Sequence, residues 1–295
     1  MKILITGHLG FVGKHFCDYL SRDKNNEVVG VDIKSGVDCR DYFKTCTDKF
    51  DLIIHLAAVV GGRETIEGSP LSVATDLSID SEFFNWVINT KQPRVVYFSS
   101  SAAYPTYLQN NRKSILKEED LNLEDIHNPD ESYGWSKLTG EFLAEYARRE
   151  GVKVHVFRPF SGFGEWQDLT YPVPMFIERV IKKEDPFEIW GDGEQVRDFI
   201  YIKDIVQAVM KAVELDIEGP VNLGSGVPIS FNSLAQIIFT VAGWSPSKGI
   251  KHLLHKPVGV GFRCGDPSLL KTFYTLQYSL EDAIAIMLQE RMLHA

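Results

Sequence analysis

The N-terminal stretch MKILITGHLGFVGKHF constrains the fold most, because three glycines follow directly on an apolar run. Lys2–Thr6 is short, apolar and rich in branched residues, which predicts a buried strand. The glycines come next, and apolar residues then recur at helical spacing: Gly7, Gly10 and Gly13, followed by Phe11, Val12, Phe16 and Leu20. Glycine lets a ligand approach the backbone and a helix N-terminus offers unpaired N–H groups, so the pattern is typical of a phosphate-binding turn. A plain strand-to-helix turn would show the same residues, so the pattern needs support from the rest of the chain.

Charge and cysteine content exclude several classes of protein. A net charge of −9 over 295 residues, with no long basic run, argues against nucleic acid as the main partner. The four cysteines lack the paired spacing of metal ligands, which predicts free thiols and no metal site: Cys17, Cys39, Cys46 and Cys264. Neither a signal-peptide pattern nor an apolar run that could span a bilayer is present, so a cytoplasmic protein is expected.

Strands and helices alternate through the first half of the chain. Apolar runs predict strands at Glu27–Ile33, Asp51–Leu56, Arg94–Ser99 and Val152–Phe157, and helical patterns cover Asp76–Asn89 and Tyr133–Arg149. On the second helix, Leu138, Phe142, Leu143 and Tyr146 are expected on one face. Near-continuous apolar strands separated by helices indicate an α/β fold with a Rossmann-like, doubly wound parallel sheet.

The pattern changes after Pro159, where glycine, proline and aromatic residues become frequent. Further elements are predicted at Phe187–Trp190, Ile205–Leu215, Pro220–Leu223, Ser230–Ala242 and Leu280–Leu293, with an irregular segment from Ile250 onward. This arrangement predicts a smaller C-terminal lobe beside the sheet. The expected division is a dinucleotide-binding domain at 1–158, joined by 205–224, and a substrate lobe made of 159–204 and 225–295.

Asp32 supports a dinucleotide at the glycine turn. It closes the second predicted strand, about twenty residues past the glycines, where the dinucleotide fold places an acidic residue that binds the adenosine ribose. A carboxylate accepts hydrogen bonds from two ribose hydroxyls but repels a 2′-phosphate, so NAD is favoured over NADP. A strand-end turn aspartate is the structural alternative.

The candidate catalytic residues lie in SYGWSK and FSSSAAYP. Tyr133 and Lys137 are four apart on a predicted helix, which places them on one face. A nearby ammonium stabilises a phenolate, so Tyr133 is expected to exchange a proton near neutral pH. The serines of the second motif follow a parallel strand and can present a hydroxyl to a carbonyl or alcohol near a nicotinamide.

These motifs resemble the extended short-chain dehydrogenase/reductase family, and its NAD-dependent nucleotide-sugar epimerase/dehydratase members, over essentially the whole chain. The resemblance implies that Ser100 is the catalytic serine and that Ser101 helps to bind substrate. It also implies cofactor contacts from two further segments, the adenine segment with Asp38 and Cys39 and the HLAA loop with Leu56, Ala57 and Ala58. His55, in the same HLAA stretch, is interpreted as a structural residue.

The resemblance also implies a nucleoside-diphosphate sugar as substrate. RPFSGFGE (Arg158–Glu165) is similar to a family corner that holds substrate, with Ser161 in place of the usual asparagine. GDGEQVRDFIYIKD and FRCGDP supply Arg197 and Arg263, which match the two arginines that bind the diphosphate. Two guanidiniums on separate segments suit a diphosphate, because each can donate two hydrogen bonds in a fork. A surface ion pair of Arg197 with Asp198 or Asp192 is the alternative.

The residues after Ser100 bear on the reaction. Ser101 and Ala102 stand where 4,6-dehydratases have an acid–base pair, so dehydration is disfavoured. HLAAVVGG (His55–Gly62) with SSSAAYP resembles the GDP-fucose synthase and GDP-mannose 3,5-epimerase branch, whose acid–base cysteine is replaced by Ala102. A 4-epimerase that oxidises and re-reduces one sugar carbon is therefore favoured. The alternatives are a 4-keto-sugar reductase/epimerase of the GDP-fucose synthase type, a dehydratase, or a non-catalytic NAD-binding protein.

A homodimer is expected from the same resemblance, which places the helices Asp76–Asn89 and Tyr133–Arg149 in a four-helix contact. Phe83, Phe84 and Trp86 could serve that contact, although core packing explains them as well. Asp76 stands where the family usually has an asparagine near the active site.

Overall fold

The computed structural model describes residues 1–61, 71–110 and 113–293. In chain order the strands are β1 Lys2–Thr6, β2 Glu27–Val31, β3 Leu52–His55, β4 Arg94–Phe98, β5 Ile115–Leu116, β6 Lys153–Pro159, β7 Ser161–Phe163, β8 Phe187–Trp190, β9 Val196–Tyr201, β10 Val221–Leu223, β11 Pro228–Ser230, β12 Ile250–Leu253 and β13 Phe262–Gly265. The α-helices are α1 Phe11–Leu20, α2 Cys39–Thr45, α3 Ser72–Asn89, α4 Thr106–Asn110, α5 Glu131–Arg149, α6 Pro172–Ile181, α7 Ile202–Glu214, α8 Phe231–Ala242, α9 Ser268–Lys271 and α10 Leu280–Leu293.

Within these ranges, the main sheet has six parallel strands in the order β10-β6-β4-β3-β1-β2. Its central strands are buried almost throughout, because apolar side chains from helices cover both faces. One core cluster includes α1 and α7, and the other includes α3 and α5. The order reverses at β1, which confirms the doubly wound α/β fold predicted from the sequence.

A second layer lies in the C-terminal half. β11, β9, β13 and β5 form a sheet, β7 also pairs with β9, and β12 pairs with β8. The expectation of an irregular segment from Ile250 onward is wrong, because this segment contributes β12, β13 and α9. These strands are short and pair with partners distant in sequence, so they carry little periodicity of their own.

The apolar face predicted for α5 is not buried as a whole. Leu138 is buried, whereas Phe142 and Tyr146 are 44% and 47% exposed. Of the two alternatives for Phe83, Phe84 and Trp86, the structure supports core packing, because all three side chains are buried against the sheet. Helix α3 presents these aromatic rings to α2 and the strands, since an 18-residue helix on a sheet must bury its apolar side there.

None of the helices in the described ranges is long and apolar enough to cross a membrane. Gly62, the last residue of the HLAAVVGG stretch, lies outside the described residues.

Candidate active site

The glycine turn lies at the carboxyl end of β1. Gly7 has a φ of +73°, and a Cβ there would lie 2.9 Å from the Ala57 nitrogen. A Cβ on Gly13 would lie 2.2 Å from the Gly7 carbonyl oxygen, so both positions require glycine. Gly10 is the N-cap of α1, and no side chain in the described ranges caps that end. The first N–H groups of α1, those of Phe11, Val12 and Gly13, therefore form an open anion-binding end.

Asp32 braces the turn from the end of β2. Its Oδ2 accepts a hydrogen bond from the Leu9 nitrogen at 2.9 Å, and its Oδ1 accepts from the Lys34 nitrogen at 2.8 Å. The strand stops at Val31, two residues earlier than predicted, because Asp32 caps the 3₁₀ turn Ile33–Ser35. Each carboxylate oxygen can accept a further bond, so Asp32 can still bind ribose hydroxyls.

The two other predicted cofactor segments flank this turn. Asp38 caps α2 and binds the Arg40 guanidinium through both oxygens. The Cys39 side chain is buried in the core, and burial raises the pKa of its thiol to about 12. Any contact of Cys39 with a cofactor therefore has to come from its backbone. On the other side, the Leu56 and Ala57 nitrogens both donate to the Thr6 hydroxyl at 3.2 Å, which positions the half-buried loop through Ala58.

Ser100 follows β4 at the same edge of the main sheet. It caps the 3₁₀ turn Ser101–Ala103, and its Oγ accepts a hydrogen bond from the Ala102 nitrogen at 3.0 Å. Ser101 is buried beside it. The turn holds Ser100 half-exposed at the carboxyl end of a central strand, which is where parallel sheets bind ligands.

Tyr133 and Lys137 lie on the first turns of α5, on the side that faces Ser100. The Lys137 nitrogen lies 5.8 Å from the centre of the Tyr133 ring and 5.4 Å from the centre of the Tyr97 ring. Burial raises the pKa of Tyr133 well above its usual value, the Asp76 charge raises it further, and a hydrogen bond with Ser100 lowers it in part. The expected depression of the Tyr133 pKa is therefore wrong for the protein alone, because burial and the nearby Asp76 charge raise that pKa. An added positive charge beside the phenol is needed to bring its pKa toward neutrality.

Two buried aspartates on α3 interact electrostatically with Tyr133 and Lys137. Asp80 accepts hydrogen bonds from His55 at 3.2 Å and from the Tyr97 hydroxyl at 2.6 Å, which makes His55 a buried structural residue stacked on Phe83. Asp76 accepts a hydrogen bond from the Val59 nitrogen at 2.6 Å and is 3% exposed. Burial raises the pKa of Asp76 to about 6, although Lys137 and the Val59 N–H act to lower it.

The two predicted diphosphate arginines are neighbours. Arg263 in β13 is paired in register with Arg197 in β9, so both side chains project from the same face of the sheet. The Arg197 guanidinium donates to the carbonyls of Val258 and Val260 at 2.9 and 2.8 Å. Asp198 accepts hydrogen bonds instead from the Ser225, Gly226 and Gly265 nitrogens.

In the RPFSGFGE segment, Arg158 has a structural role and Ser161 remains a candidate binding residue. Arg158 is 2% exposed and forms a bidentate pair with Glu141 at 2.9 and 2.7 Å, so it supports the core. Ser161 begins β7, is half-buried and pairs with Phe199 two residues past Arg197.

Comparison with known proteins decides the family. The family model described as "NAD dependent epimerase/dehydratase family" matches residues 3–224. The chain belongs to this family. GDP-mannose 3,5-epimerase 1 of Oryza sativa subsp. indica is 30% identical over 92% of this chain and 76% of its own length. A dTDP-4-dehydro-6-deoxy-D-allose reductase of a Streptomyces species is 27% identical over 90% of this chain and 88% of its own length.

A solved structure extends the likeness to the whole chain. The UDP-N-acetylglucosamine 4-epimerase of Methanobrevibacter ruminantium M1, in complex with UDP-N-acetylmuramic acid, superimposes with a TM-score of 0.83. It is 26% identical, and the match covers 100% of this chain and 99% of that one. Membership makes this protein an NAD-dependent enzyme of the epimerase/dehydratase family. The glycine turn, the start of α1 without a side-chain cap in the described ranges, and the Asp32 carboxylate at the end of β2 fit that cofactor.

Sequence reasoning missed three residues that join the site: Asp80, Gln109 and Asp130. Asp80 binds Tyr97, whose ring lies under the Lys137 ammonium of α5, and the other two bind Arg263. Asp130 immediately precedes the helix that carries Tyr133, and an aspartate at this position is typical of a helix N-cap. Among the residues that the structure describes, its carboxylate binds Arg263 and makes no cap hydrogen bond to the helix, and no local pattern predicts that partner.

Replacing Asp76 with asparagine is expected to stabilise the protein in a pH-dependent way. A carboxyl whose folded-state pKa of about 6 exceeds the ordinary 3.8 stabilises the fold fully at low pH, and this stabilisation is lost as pH rises through 6. Asparagine keeps an oxygen for the Val59 N–H without the charge, so the free energy of unfolding should rise by up to about 3 kcal/mol near pH 8. Chemical denaturation between about pH 4 and about pH 8 measures the difference.

Glu124→Gln, which removes an exposed carboxylate, is the control for the Asp76 experiment. It should leave unfolding unchanged within about 0.5 kcal/mol over the same range. If the increase in the free energy of unfolding of Asp76→Asn did not become smaller toward low pH, the destabilisation assigned to the buried Asp76 charge would be contradicted.

Proposed function

We propose that this enzyme inverts the C4 hydroxyl of a nucleoside-diphosphate sugar by reversible oxidation with tightly held NAD. The observation that carries the proposal is the hydrogen bond between Ser100 and Tyr133, with Lys137 beside the phenol, at the carboxyl edge of the sheet that carries the glycine turn, and with alanine at position 102. Oxidation and re-reduction at one carbon need only these three groups and the cofactor. Proton exchange at an adjacent carbon would need a further group at the position of Ala102.

The catalytic roles follow from the positions of the side chains. When bound, NAD supplies the hydride acceptor and donor. Tyr133 removes the proton of the sugar hydroxyl and later returns it, while Ser100 donates a hydrogen bond to the reacting oxygen. Lys137 is buried beside the phenol, where its charge favours the phenolate and opposes the effect of Asp76.

The substrate class follows from the arginine pair. Arg197 and Arg263 project side by side from neighbouring strands, and a diphosphate presents several oxygens to such a pair. The protein carries a net charge of −9, so a dianionic ligand requires concentrated positive charge of this kind. Ser101 and Ser161 are proposed to contact the sugar.

The experiment uses the purified protein without added cofactor. NAD should be released on denaturation in near-stoichiometric amount, and incubation with a panel of UDP-, GDP- and dTDP-sugars should interconvert one pair of C4 epimers. Proton NMR of the products reports the inverted centre. Release of NAD without conversion of any C4 pair would contradict the proposal.

A 4-keto-sugar reductase is the second candidate, favoured by the likeness to the dTDP-4-dehydro-6-deoxy-D-allose reductase. The same Ser100, Tyr133 and Lys137 can protonate a keto oxygen as hydride arrives. A reductase would consume reduced cofactor in proportion to product and would not interconvert epimers on its own. Stoichiometric loss of absorbance from added NADH or NADPH separates the two activities.

The proposal includes the assembly, the domains and the location. We propose a homodimer through α3 and α5, because α5 exposes Trp135, Phe142 and Tyr146 along one side. Residues 1–158 with 205–224 are proposed to bind NAD, and 159–204 with 225–295 to bind the nucleotide sugar. The four cysteines are unbridged thiols, which supports a reducing, cytoplasmic location.

A further inference from the structure

We propose that Asp130 is a positioning residue that couples the diphosphate-binding Arg263 to the two segments that carry Ser100 and Tyr133. The inference rests on the proposed function, because it assigns Arg263 to the substrate diphosphate. It goes further by giving that arginine a second task, which is to hold the catalytic hydroxyls in register when substrate binds.

Arg263 contacts both catalytic segments through buried partners. Its Nε donates to Gln109 Oε1 at 2.5 Å, and its Nη2 donates to Asp130 Oδ2 at 2.6 Å. The Arg263 and Asp130 side chains are 12% and 9% exposed, and Gln109 is fully buried. These three residues form the Arg263 clamp. A desolvated, charge-assisted contact of this kind is directional and strong.

Asp130 joins the clamp to the catalytic hydroxyls through its backbone. Its nitrogen donates to the Ala102 carbonyl at 2.9 Å, within the turn that Ser100 caps. Its carbonyl accepts from the Gly134 nitrogen at 2.9 Å, in the first turn of α5 next to Tyr133. A Cβ on Gly134 would lie 2.5 Å from the Ala102 carbonyl oxygen, so helix and turn are in direct backbone contact.

Gln109, the other partner of Arg263, binds the chain just after the turn that Ser100 caps. Its Nε2 donates to the carbonyls of Tyr104 and Pro105 at 3.0 and 3.3 Å, just after the Ser100 turn. Arg263 therefore holds the segment that follows Ser100 at two points, through Asp130 and through Gln109, and it also holds the start of α5. A guanidinium has more N–H groups than these two bonds use, so Arg263 can bind a diphosphate without releasing Asp130.

The coupling is measured by hydrogen exchange of the NAD-loaded protein with UDP, GDP and dTDP added singly. In the wild type, the nucleotide that binds should slow exchange in a peptide covering residues 131–137 by about fivefold or more. Asp130→Asn should bind that nucleotide with a Kd within about threefold of wild type, since Arg263 remains, and should lose the slowing. Arg263→Lys, a second variant, should also lose it, because an ammonium cannot reach both partners in the fork.

Asp125→Asn is the matched control, because Asp125 is exposed on the loop that precedes α5. It should keep both the binding and the slowing. Slowing that persists in Asp130→Asn with unchanged binding would overturn the coupling and leave the proposed function intact. A wild-type protein that binds none of the three nucleotides would overturn the proposed function and the coupling together.

Discussion

Replacing Tyr133 with phenylalanine is expected to lower kcat for epimerisation by about 1,000-fold, the usual cost of losing a positioned acid–base group. The phenol is the group that contacts Ser100 and lies beside Lys137, and phenylalanine preserves its ring but removes the proton carrier. Turnover of the converted nucleotide sugar is followed by NMR, and bound NAD is quantified in the same sample. NAD content should stay near the wild-type value, because the ring still packs in place.

Tyr146→Phe is the control for this variant. It removes a hydroxyl from the same helix but on the side opposite Tyr133, away from Ser100 and Lys137, so kcat should change less than about twofold. Full activity in Tyr133→Phe would remove Tyr133 from the mechanism and revive the reading of a non-catalytic NAD-binding protein.

Replacing Arg158 with methionine is expected to lower the free energy of unfolding by about 3–5 kcal/mol, because the buried Glu141 carboxylate loses its charged partner. Glu141 accepts two hydrogen bonds from Arg158 and one from the Ser99 hydroxyl, and both members of the pair are almost fully buried. The Arg158 guanidinium also donates to the Tyr104 hydroxyl and to the Glu118 carbonyl, so these acceptors lose a partner as well. Equilibrium denaturation in urea measures the loss.

The double variant Arg158→Met with Glu141→Leu tests the cause. Removing both charges should recover more than half of the loss, because no buried charge is then left without a partner. A surface pair, Arg22 with Asp18, provides the comparison, and Arg22→Met should cost less than about 1 kcal/mol. A loss below about 1 kcal/mol for Arg158→Met would contradict the structural role given to this arginine.

The fold could be predicted where the local pattern carries the information. β1, the glycine turn and α1 lie where the sequence places them, and Tyr133 and Lys137 do share one side of α5. The buried face of a long helix was harder to predict, because other elements of the chain cover α5 on one side only. Phe142 and Tyr146 look like core residues by type, and the neighbours of α5 in space leave them exposed.

The chemistry of the site was predicted in part. The residue types of Ser100, Tyr133 and Lys137 are visible in the motifs, but the pKa of Tyr133 depends on groups from other elements. Burial and the Asp76 charge raise that pKa, and Asp76 belongs to a helix more than fifty residues earlier in the chain. The sum of such contributions needs distances, which the sequence does not contain.

The sequence by itself determined the doubly wound sheet, the glycine turn and the shared helix face of Tyr133 and Lys137, because each depends on the period of a strand or a helix. Only the tertiary structure decided that Arg197 and Arg263 are register partners and that Asp130 binds Arg263 across 133 residues of chain. Such pairings are set by how separate elements pack against one another. No local rule of the backbone specifies which distant side chain a buried charge will meet.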